Sequence, residues 1–253
     1  MYMVSLLSIL PFTAPACGSA QGGGEAPEAP RVYFVRDITP ENMVRLYEAL
    51  ERPATGKVAV KLSTGEPGGH NFLKPELIKD LVQKVDDTIV ECNTAYGGGR
   101  ASTENHLKAA ADHGFTAIAP VDIMDAEGET ALPVSGGRHL KEDFVGSHYS
   151  DYDFTVVLSH FKGHPMGGFG GALKQLSIGC ASSYGKAYIH GAGEPEKIWT
   201  GDHNSFLESM ADAAEAVIGE EVEEAVFDDG AADGAAELML LVDGLGEQEG
   251  RGL

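Results

Sequence analysis

Residues 160–174 place histidine and lysine side chains among glycines. The run reads His-Phe-Lys-Gly-His-Pro-Met-Gly-Gly-Phe-Gly-Gly-Ala-Leu-Lys and follows residues 154–158, a short apolar run that predicts a buried strand. Glycine lets backbone N–H groups turn towards an anion. Imidazoles titrate near neutral pH, and burial makes an amine nucleophilic. The run is therefore typical of a site for a small anionic ligand or a cofactor phosphate. A flexible, glycine-rich surface loop is the alternative interpretation.

Apolar runs alternate with amphipathic segments along most of the chain. Strands are predicted at residues 32–35, 57–62, 88–92, 115–119, 131–134 and 154–158, and helices at residues 40–49, 75–85 and 102–113. Ser205 to Glu208 form a capping box that opens a further helix, which ends near Gly219. Strands that alternate with helices predict an α/β fold with a largely parallel sheet flanked by helices.

Polar and glycine-rich residues follow four of these predicted strands. Ligands of open α/β sheets bind beyond the carboxyl ends of the strands, so we expect these residues to line one cleft there. The candidate ligand-binding residues are Lys61, Ser63, Thr64, Asn93, Thr94, Arg100, Lys162, Gly167, Gly168, Gly170 and Gly171, and the candidate catalytic residues are His160, His164 and Lys174. Residues 120–122 follow the predicted strand at residues 115–119 and belong to the same expected edge of the sheet.

Charge and cysteine content exclude some classes of protein. The 253 residues carry a net charge of −21, so the chain offers no basic face to neutralise nucleic-acid phosphates. The three cysteines share no close spacing, which excludes a zinc knuckle or a disulfide framework. A hydrophobic content of 43% is typical of a globular protein. We expect Cys92 to be a small buried side chain, and His106 and His113 to lie on a solvated helix surface.

The two ends differ from the body at residues 31–219. Residues 1–30 contain a short apolar run, an Ala-Pro-Ala-Cys sequence ending at Cys17, and a Gly/Pro/Glu spacer. This pattern resembles a bacterial lipoprotein signal, which implies an extracytoplasmic domain anchored to the membrane by lipid on Cys17. A disordered leader on a cytoplasmic protein is the alternative. Residues 220–253 hold eleven acidic residues and one basic residue, and predict a truncated or disordered tail.

Three runs carry a resemblance to a known family. Residues 57–65, residues 90–100, and residues 159–164 together with 170–174 resemble the family called domain of unknown function 362, over residues 31–219. Members are often labelled uncharacterised iron–sulfur centre proteins, and their body usually continues into a cysteine-rich segment that would hold the cluster. This chain has no such ligand set. The resemblance therefore leaves open an iron–sulfur redox or binding protein whose cluster segment is missing here.

A second resemblance concerns the spacing between His164 and Lys174. With the glycines between them, it is similar to the lactate racemase family, whose nickel-pincer cofactor is tethered by a lysine. That resemblance implies Lys174 as the tether, His164 as an acid or base, and His190 as a candidate nickel ligand. The retained His and Lys residues favour an enzyme that uses a metal or organic cofactor on a small anionic substrate. The two resemblances imply that it is either an isomerase- or racemase-like enzyme or a redox enzyme. The substrate, the metal and the oligomeric state stay open.

Overall fold

The computed structural model describes residues 32–86, 88–218, 224–228 and 236–243. The predicted leader with Cys17, and much of the acidic segment, lie outside the described residues, so both predictions stay predictions. Within the described part of the chain, no helix combines the length and the apolar character needed to cross a membrane.

One sheet holds most of the strands. Its members are β1 (Val32–Tyr33), β2 (Val58–Lys61), β3 (Thr88–Glu91), β4 (Val121–Ile123), β7 (Phe154–His164), β8 (Gly168–Gly170), β9 (Glu224–Asp228) and β10 (Ala236–Asp243). The order across the sheet is β1-β9-β10-β7-β2-β3-β4, and β8 pairs with β7. Strands β5 (Glu129–Pro133) and β6 (Glu142–Gly146) form a separate antiparallel hairpin.

The strands that matter for the site are parallel. Strand β2 pairs in parallel with β3 on one side and with β7 on the other, where Lys61 is opposite Val157. Strand β3 pairs in parallel with β4. The parallel-paired parts of β2, β3 and β7 are largely buried, as expected for a parallel sheet covered on both faces. The predicted α/β fold with a largely parallel sheet is therefore confirmed.

Six helices flank the sheet within the described residues. They are α1 (Pro40–Ala49), α2 (Pro75–Val85), α3 (Thr103–Asp112), α4 (Ala172–Cys180), α5 (Ser183–His190) and α6 (His203–Ile218). Proline occupies the first position of α1 and α2, where its missing N–H costs no helical hydrogen bond. Helix α6 begins at His203, ahead of the predicted cap at Ser205, because the side chain of Asp202 accepts the backbone N–H of Ser205 at 2.9 Å and caps the helix there.

Alternate residues of the strands pack against different helices. Val58 and Val60 contact a core that contains Leu46 of α1 and Leu81 of α2. Ala59, between them, faces a second core that includes residues of α4 and α6. A third core joins α4, α5 and α6 to one another. Helices α2 and α4, which follow the neighbouring strands β2 and β7, therefore cover opposite faces of the sheet.

Two predicted segments differ from the structure. Residues 115–119 were expected to form a strand, but Phe115–Ala117 is a 3₁₀ helix and the strand is Val121–Ile123. A short apolar run does not by itself distinguish the two, and Phe115 is buried by its packing in the first core. Strand β7 also continues beyond Leu158 to His164, and β8 folds back on it. The predicted glycine-rich loop is therefore largely a β-hairpin.

The sheet continues past residue 219, where the predicted body ended. The backbone of β10 pairs antiparallel with β7 and with β9, so residues 236–243 lie inside the sheet. This differs from the expectation of a poorly packed segment, and it includes the apolar run at residues 238–242 that suits a strand. Apart from β9 (Glu224–Asp228), the other residues of the acidic segment lie outside the described ones.

A buried carboxylate joins the ends of β2 and β3. Glu91, the last residue of β3, accepts hydrogen bonds from the backbone N–H of Thr64 at 2.6 Å and from its hydroxyl at 2.9 Å. The ammonium of Lys61 lies 3.5 Å from the same carboxylate, and the guanidinium of Arg100 lies 3.4 Å from it. Burial opposes ionisation, but Lys61 and the other partners hold the pKa of Glu91 well below its usual value.

His106 of α3 belongs to the same network. Its Nε2 lies 3.5 Å from a carboxylate oxygen of Glu91, and its Nδ1 lies 3.3 Å from the amide oxygen of Asn93. The side chain is fully buried. The expectation that His106 is a solvated surface residue is therefore wrong, because α3 turns this position towards the sheet.

Replacing the buried carboxylate tests this network. We expect Glu91→Gln to lower the free energy of unfolding by about 3 kcal/mol, because the ammonium of Lys61 would stay buried without a charged partner. Urea unfolding measures the change. Glu66→Gln is the matched control, since Glu66 also pairs with Arg100 but is exposed, and its loss should cost less than about 1 kcal/mol. Equal losses for the two variants would contradict the assigned role of Glu91.

Candidate functional site

A cavity of about 140 Å³ opens among the carboxyl ends of β2, β3 and the extended β7. Ser63 follows β2, Cys92 follows β3, and His160 lies in β7 beyond its pairing with β2. The loops leave β2 and β7 towards opposite faces of the sheet, which makes a topological switch point between these neighbouring strands. Ligands of open α/β sheets bind in the crevice at such points.

The structure brings most of the sequence-predicted residues together here. Those that line the cavity are Ser63, Thr94, Arg100, His160, Lys162, His164, Gly170, Gly171 and Lys174. Five residues among the candidates for binding, and the candidate metal ligand, do not line it: Lys61, Thr64, Asn93, Gly167, Gly168 and His190. Of these six residues, Lys61, Thr64, Asn93 and His190 have hydrogen-bond partners inside the protein.

Lys61 lies beneath the cavity rather than in it. Its ammonium donates to the carbonyl of Leu62 at 2.8 Å and to the amide oxygen of Gln175 at 3.3 Å, besides its contact with Glu91. The side chain is fully buried, and a Cβ at Gly179 would lie 2.9 Å from its Cε. All three N–H donors of Lys61 therefore serve the fold.

Thr64 and Asn93 are engaged in the same way. Both donors of Thr64 bind the Glu91 carboxylate. The side-chain amide of Asn93 donates to the hydroxyl of Thr103 at 3.1 Å, and its backbone N–H donates to Asp125 at 2.8 Å. These two residues hold the strand ends in place and leave the cavity to their neighbours.

His190 has no free nitrogen for a metal ion. Its Nδ1 lies 2.7 Å from the carbonyl of Lys186, so this nitrogen carries the proton and donates it. Its Nε2 then accepts the hydroxyl of Tyr96, 2.7 Å away. Burial, together with the nearby Lys174 and other cations, lowers the pKa of His190 to about 4. The imidazole is therefore neutral and supports Tyr96, which itself lines the cavity.

His164 presents a hydrogen-bond donor to the cavity. Its Nδ1 accepts the backbone N–H of Gly167 at 2.9 Å, so the proton of the neutral ring lies on Nε2. Burial and the nearby Lys174 and Lys162 lower the pKa of this imidazole. Protonation of Nδ1 would also place two N–H donors, those of His164 and Gly167, facing each other, which is unfavourable. His164 therefore serves as a neutral N–H donor at neutral pH.

His160 is the second imidazole of β7. Burial and the nearby Lys162 lower its pKa, so it too favours the neutral form. Its Nδ1 is buried without a hydrogen-bond partner among the described residues. A polar atom left in this state is costly unless a ligand or an ordered water binds it.

Lys174 and Lys162 are the unpaired cations of the cavity. The described residues give neither ammonium a hydrogen bond or an ion pair, whereas Arg100 pairs with Glu66 and Glu91. Burial, followed by the repulsion of Lys162 and other cations, lowers the pKa of Lys174 to about 8. Burial and Arg100 lower the pKa of Lys162. No described residue supplies a free negative charge to balance these two lysines, and a bound anion would supply one.

Several lining residues were missed in the sequence. They are Glu91, Cys92, Tyr96, Gln175, Ile178, Gly179 and Lys186. Tyr96 lies in a run that the sequence reasoning did examine, but its position beside His190 depends on residues far apart in the chain. Lys186 comes from α5, which was not predicted, although the Ser182 side chain that accepts the Gly185 N–H at 2.9 Å is an ordinary start signal.

The described residues do not fit the cofactors that the sequence resemblances implied. Within them, no group of three or more His, Cys, Asp or Glu side chains is arranged to hold a metal ion. Cys92 and Cys180 are buried free thiols, as expected for Cys92, and burial raises the pKa of both. A cavity of about 140 Å³ is also smaller than the 300–1,000 Å³ usual for cofactor sites.

The protonation of Lys174 is directly measurable. We expect its acetylation rate to reach half of its plateau near pH 8, because burial and Lys162 favour the neutral amine. Exposed lysines should reach that point about two units higher. Trace labelling with acetic anhydride across a pH series, followed by peptide mapping, measures both in one sample. A Lys174 profile that coincides with the exposed lysines would contradict the electrostatics described here.

Two solved structures show limited similarity to this fold. The lactate racemase apoprotein from Thermoanaerobacterium thermosaccharolyticum is 16% identical, with a TM-score of 0.41, over 78% of this chain and 50% of that one. A structural-genomics protein from Thermotoga maritima is 16% identical, with a TM-score of 0.47, over 83% of this chain and 56% of that one. This chain therefore spans about half the length of the solved structures it matches.

Sequence comparison identifies a family. No curated protein sequence matches the chain. Residues 58–239 match the family described as Domain of unknown function (DUF362), which covers most of the chain and contains every residue that lines the cavity. The chain belongs to the DUF362 family.

Proposed function

We propose that this chain is an enzyme domain that binds a small organic anion in the cavity and transfers a proton to or from it. The observation that carries the proposal is the pair of ammonium groups on Lys162 and Lys174, which share a cavity with no free carboxylate among its described lining residues. The chain as a whole carries a charge of −21, so a local cationic site is a specific feature. Such a cavity concentrates anions by focusing the field of its charges.

The first turn of α4 supports the same conclusion. Gly171 is the residue before the helix, and no side chain caps the free N–H groups of this turn. Gly171 and Lys174 both line the cavity. The partial positive charge of a helix amino terminus stabilises an anion and disfavours an ammonium. The helix therefore adds to the anion affinity and to the lowered pKa of Lys174.

The size of the cavity limits the ligand. A void of about 140 Å³ accommodates roughly six non-hydrogen atoms, the size of benzene in an engineered cavity of similar volume. A carboxylate with one or two further carbon atoms meets this limit. Lys162 supplies a positive charge for its carboxylate, and Arg100, whose guanidinium nitrogens already contact Glu66 and Glu91, adds to the positive field of the cavity.

His164 is suited to the acid–base role. Its Nε2–H donates to an oxygen of the bound anion, and the surrounding cations stabilise negative charge that develops on that oxygen during proton transfer. His160, with its unsatisfied Nδ1, is a second candidate to accept or relay the proton. Cys92 and Cys180 donate their thiol protons to backbone carbonyls, which does not favour an iron–sulfur role for the described residues.

Substitution of the two main residues separates catalysis from folding. We expect His164→Ala to abolish exchange of a carbon-bound proton of the substrate with solvent, while the melting temperature changes little, since the side chain fills no core. Lys174→Ala should weaken binding of a small carboxylate by at least about tenfold, because a desolvated charge contact is lost. Deuterium incorporation by NMR over a panel of small carboxylates, with calorimetry and thermal melts, measures all three.

The control for this pair is Lys197→Ala, an exposed lysine that pairs with Glu194 outside the cavity. It should leave exchange, affinity and melting temperature unchanged. Lower melting temperatures for the His164 and Lys174 variants with unchanged affinity would show that the hairpin and the first turn of α4 serve only the fold, and would overturn the proposal.

Binding of an anion should draw a proton from solvent above the pKa of Lys174. The free site favours the neutral amine above about pH 8, and a bound carboxylate favours the ammonium and raises this pKa. At about pH 9 the wild-type protein should therefore take up a measurable fraction of one proton on binding oxalate. Calorimetry in two buffers with different ionisation enthalpies measures the uptake, and Lys174→Gln should lose it. Equal uptake in both proteins would assign the proton to another group.

A further inference from the structure

Lys174 differs from the other lysines that line the cavity because, among the described residues, it combines partial burial with the lack of a partner. The ammonium of Lys61 is fully engaged, and that of Lys186 donates to the carbonyl of Ala181 and is buried. Lys162 is exposed, at the outer edge of the cavity. Lys174 is half-buried, it lines the cavity, and the described residues offer it no hydrogen bond.

A charged anchor would not require this environment. Anion binding by charge alone is served best by an ammonium with an ordinary pKa, as on an exposed lysine. At Lys174, burial and the repulsion of Lys162, Lys186 and Arg100 hold the amine partly neutral near neutral pH. Desolvation and a neighbouring cation are the two conditions that turn a lysine into a nucleophile towards carbonyl compounds.

We propose that Lys174 forms an imine with the carbonyl carbon of a small 2-oxo acid bound in the cavity. The inference rests on the proposed function, because Lys162, in the positive field of the cavity, must hold the carboxylate of the same molecule. Pyruvate, with about six non-hydrogen atoms, meets the size limit set by the cavity. Of the groups described, Lys174 supplies the nucleophile and His164 supplies the neighbouring N–H donor.

The step requires no oxidant, reductant or metal. The lone pair of the Lys174 amine forms the N–C bond while the carbonyl π pair moves onto oxygen. One amine proton transfers to that oxygen and gives a carbinolamine. The second amine proton then leaves with the oxygen as water, and the C=N bond forms. Nε2–H of His164 hydrogen-bonds to the oxygen as its charge develops and keeps its proton throughout.

The geometry also explains why the cavity holds several cations. The carboxylate adjacent to the carbonyl brings negative charge to within a few ångströms of the amine, which would raise the pKa of Lys174 and suppress attack. Arg100, Lys162 and the first turn of α4 offset that charge, so the bound anion leaves part of the amine neutral. Guiding the anion and preserving the nucleophile are therefore two effects of the same cluster.

Reductive trapping tests the proposal. The full chain is incubated with pyruvate and sodium borohydride, and the product is analysed by intact mass and peptide mapping. We expect one reduced pyruvate adduct on the wild-type protein, located at Lys174. Lys174→Arg, which keeps the positive charge without a nucleophilic amine, should lower the adduct at least about tenfold. Lys197→Arg should keep the wild-type yield, and excess lactate, which has no ketone carbonyl, should compete with trapping.

Binding is measured separately so that the two proposals fail differently. Calorimetry with oxalate and lactate reports the anion site without imine chemistry, and Lys174→Arg should retain oxalate affinity within a few-fold. Anion binding without an adduct at Lys174 would overturn the imine and leave the proposed function standing. Loss of both would overturn both. Adducts spread over exposed lysines and unchanged in Lys174→Arg would also overturn the imine. If the arginine variant is unstable, Lys174→Met repeats the comparison.

Discussion

The ion pair between Lys61 and Glu91 determines which cations of this molecule are available to a ligand. Glu91 lies at the end of β3, and its oxygens are occupied by Thr64, Lys61 and Arg100. A buried carboxylate with these partners fixes the ends of β2 and β3 beside each other. The negative charge of Glu91 is balanced by Lys61 and in part by Arg100. It therefore does not balance the charges of Lys162 and Lys174. The cavity is cationic because Glu91, the carboxylate among its described lining residues, already has partners.

The β7–β8 hairpin and helix α4 then place the amines of Lys162 and Lys174 next to the strand ends that Glu91 holds together. The β7–β8 hairpin carries Lys162 and His164, and the first turn of α4 carries Lys174. Strand β7 lies beside β2, and the helices that follow these two strands cover opposite faces of the sheet. The hairpin and the first turn of α4 therefore meet at the crevice between the two strand ends. The repulsion between the amines lowers the stability of the unliganded fold, and a bound anion relieves it. Charge that is unfavourable for folding is in this way favourable for binding.

The sequence predicts the sheet well because its signals are local. Short apolar runs identify β2, β3 and the first half of β7, and prolines mark the starts of α1 and α2. The chemistry-bearing runs also lie where parallel strands end, so most of the cavity lining was predicted. Local signals do not reveal partners. Lys61 and Lys174 look alike in the sequence, and only the distant Glu91 shows that one serves the fold. The glycine-rich run likewise became β8 through pairing with β7, which no residue in it specifies.

The tautomer of His164 illustrates how the backbone selects a chemical role. The N–H of Gly167 binds Nδ1, so the free nitrogen of the neutral ring carries a proton. A histidine held in this way donates to an oxygen and does not remove a proton from carbon unless the hydrogen bond to Gly167 breaks. The group left to accept a proton is His160, whose Nδ1 has no partner among the described residues. The hairpin thus separates donor and acceptor onto two imidazoles of one strand, with the amine of Lys174 beside the donor. This division favours chemistry at a carbonyl oxygen, where a fixed donor is required.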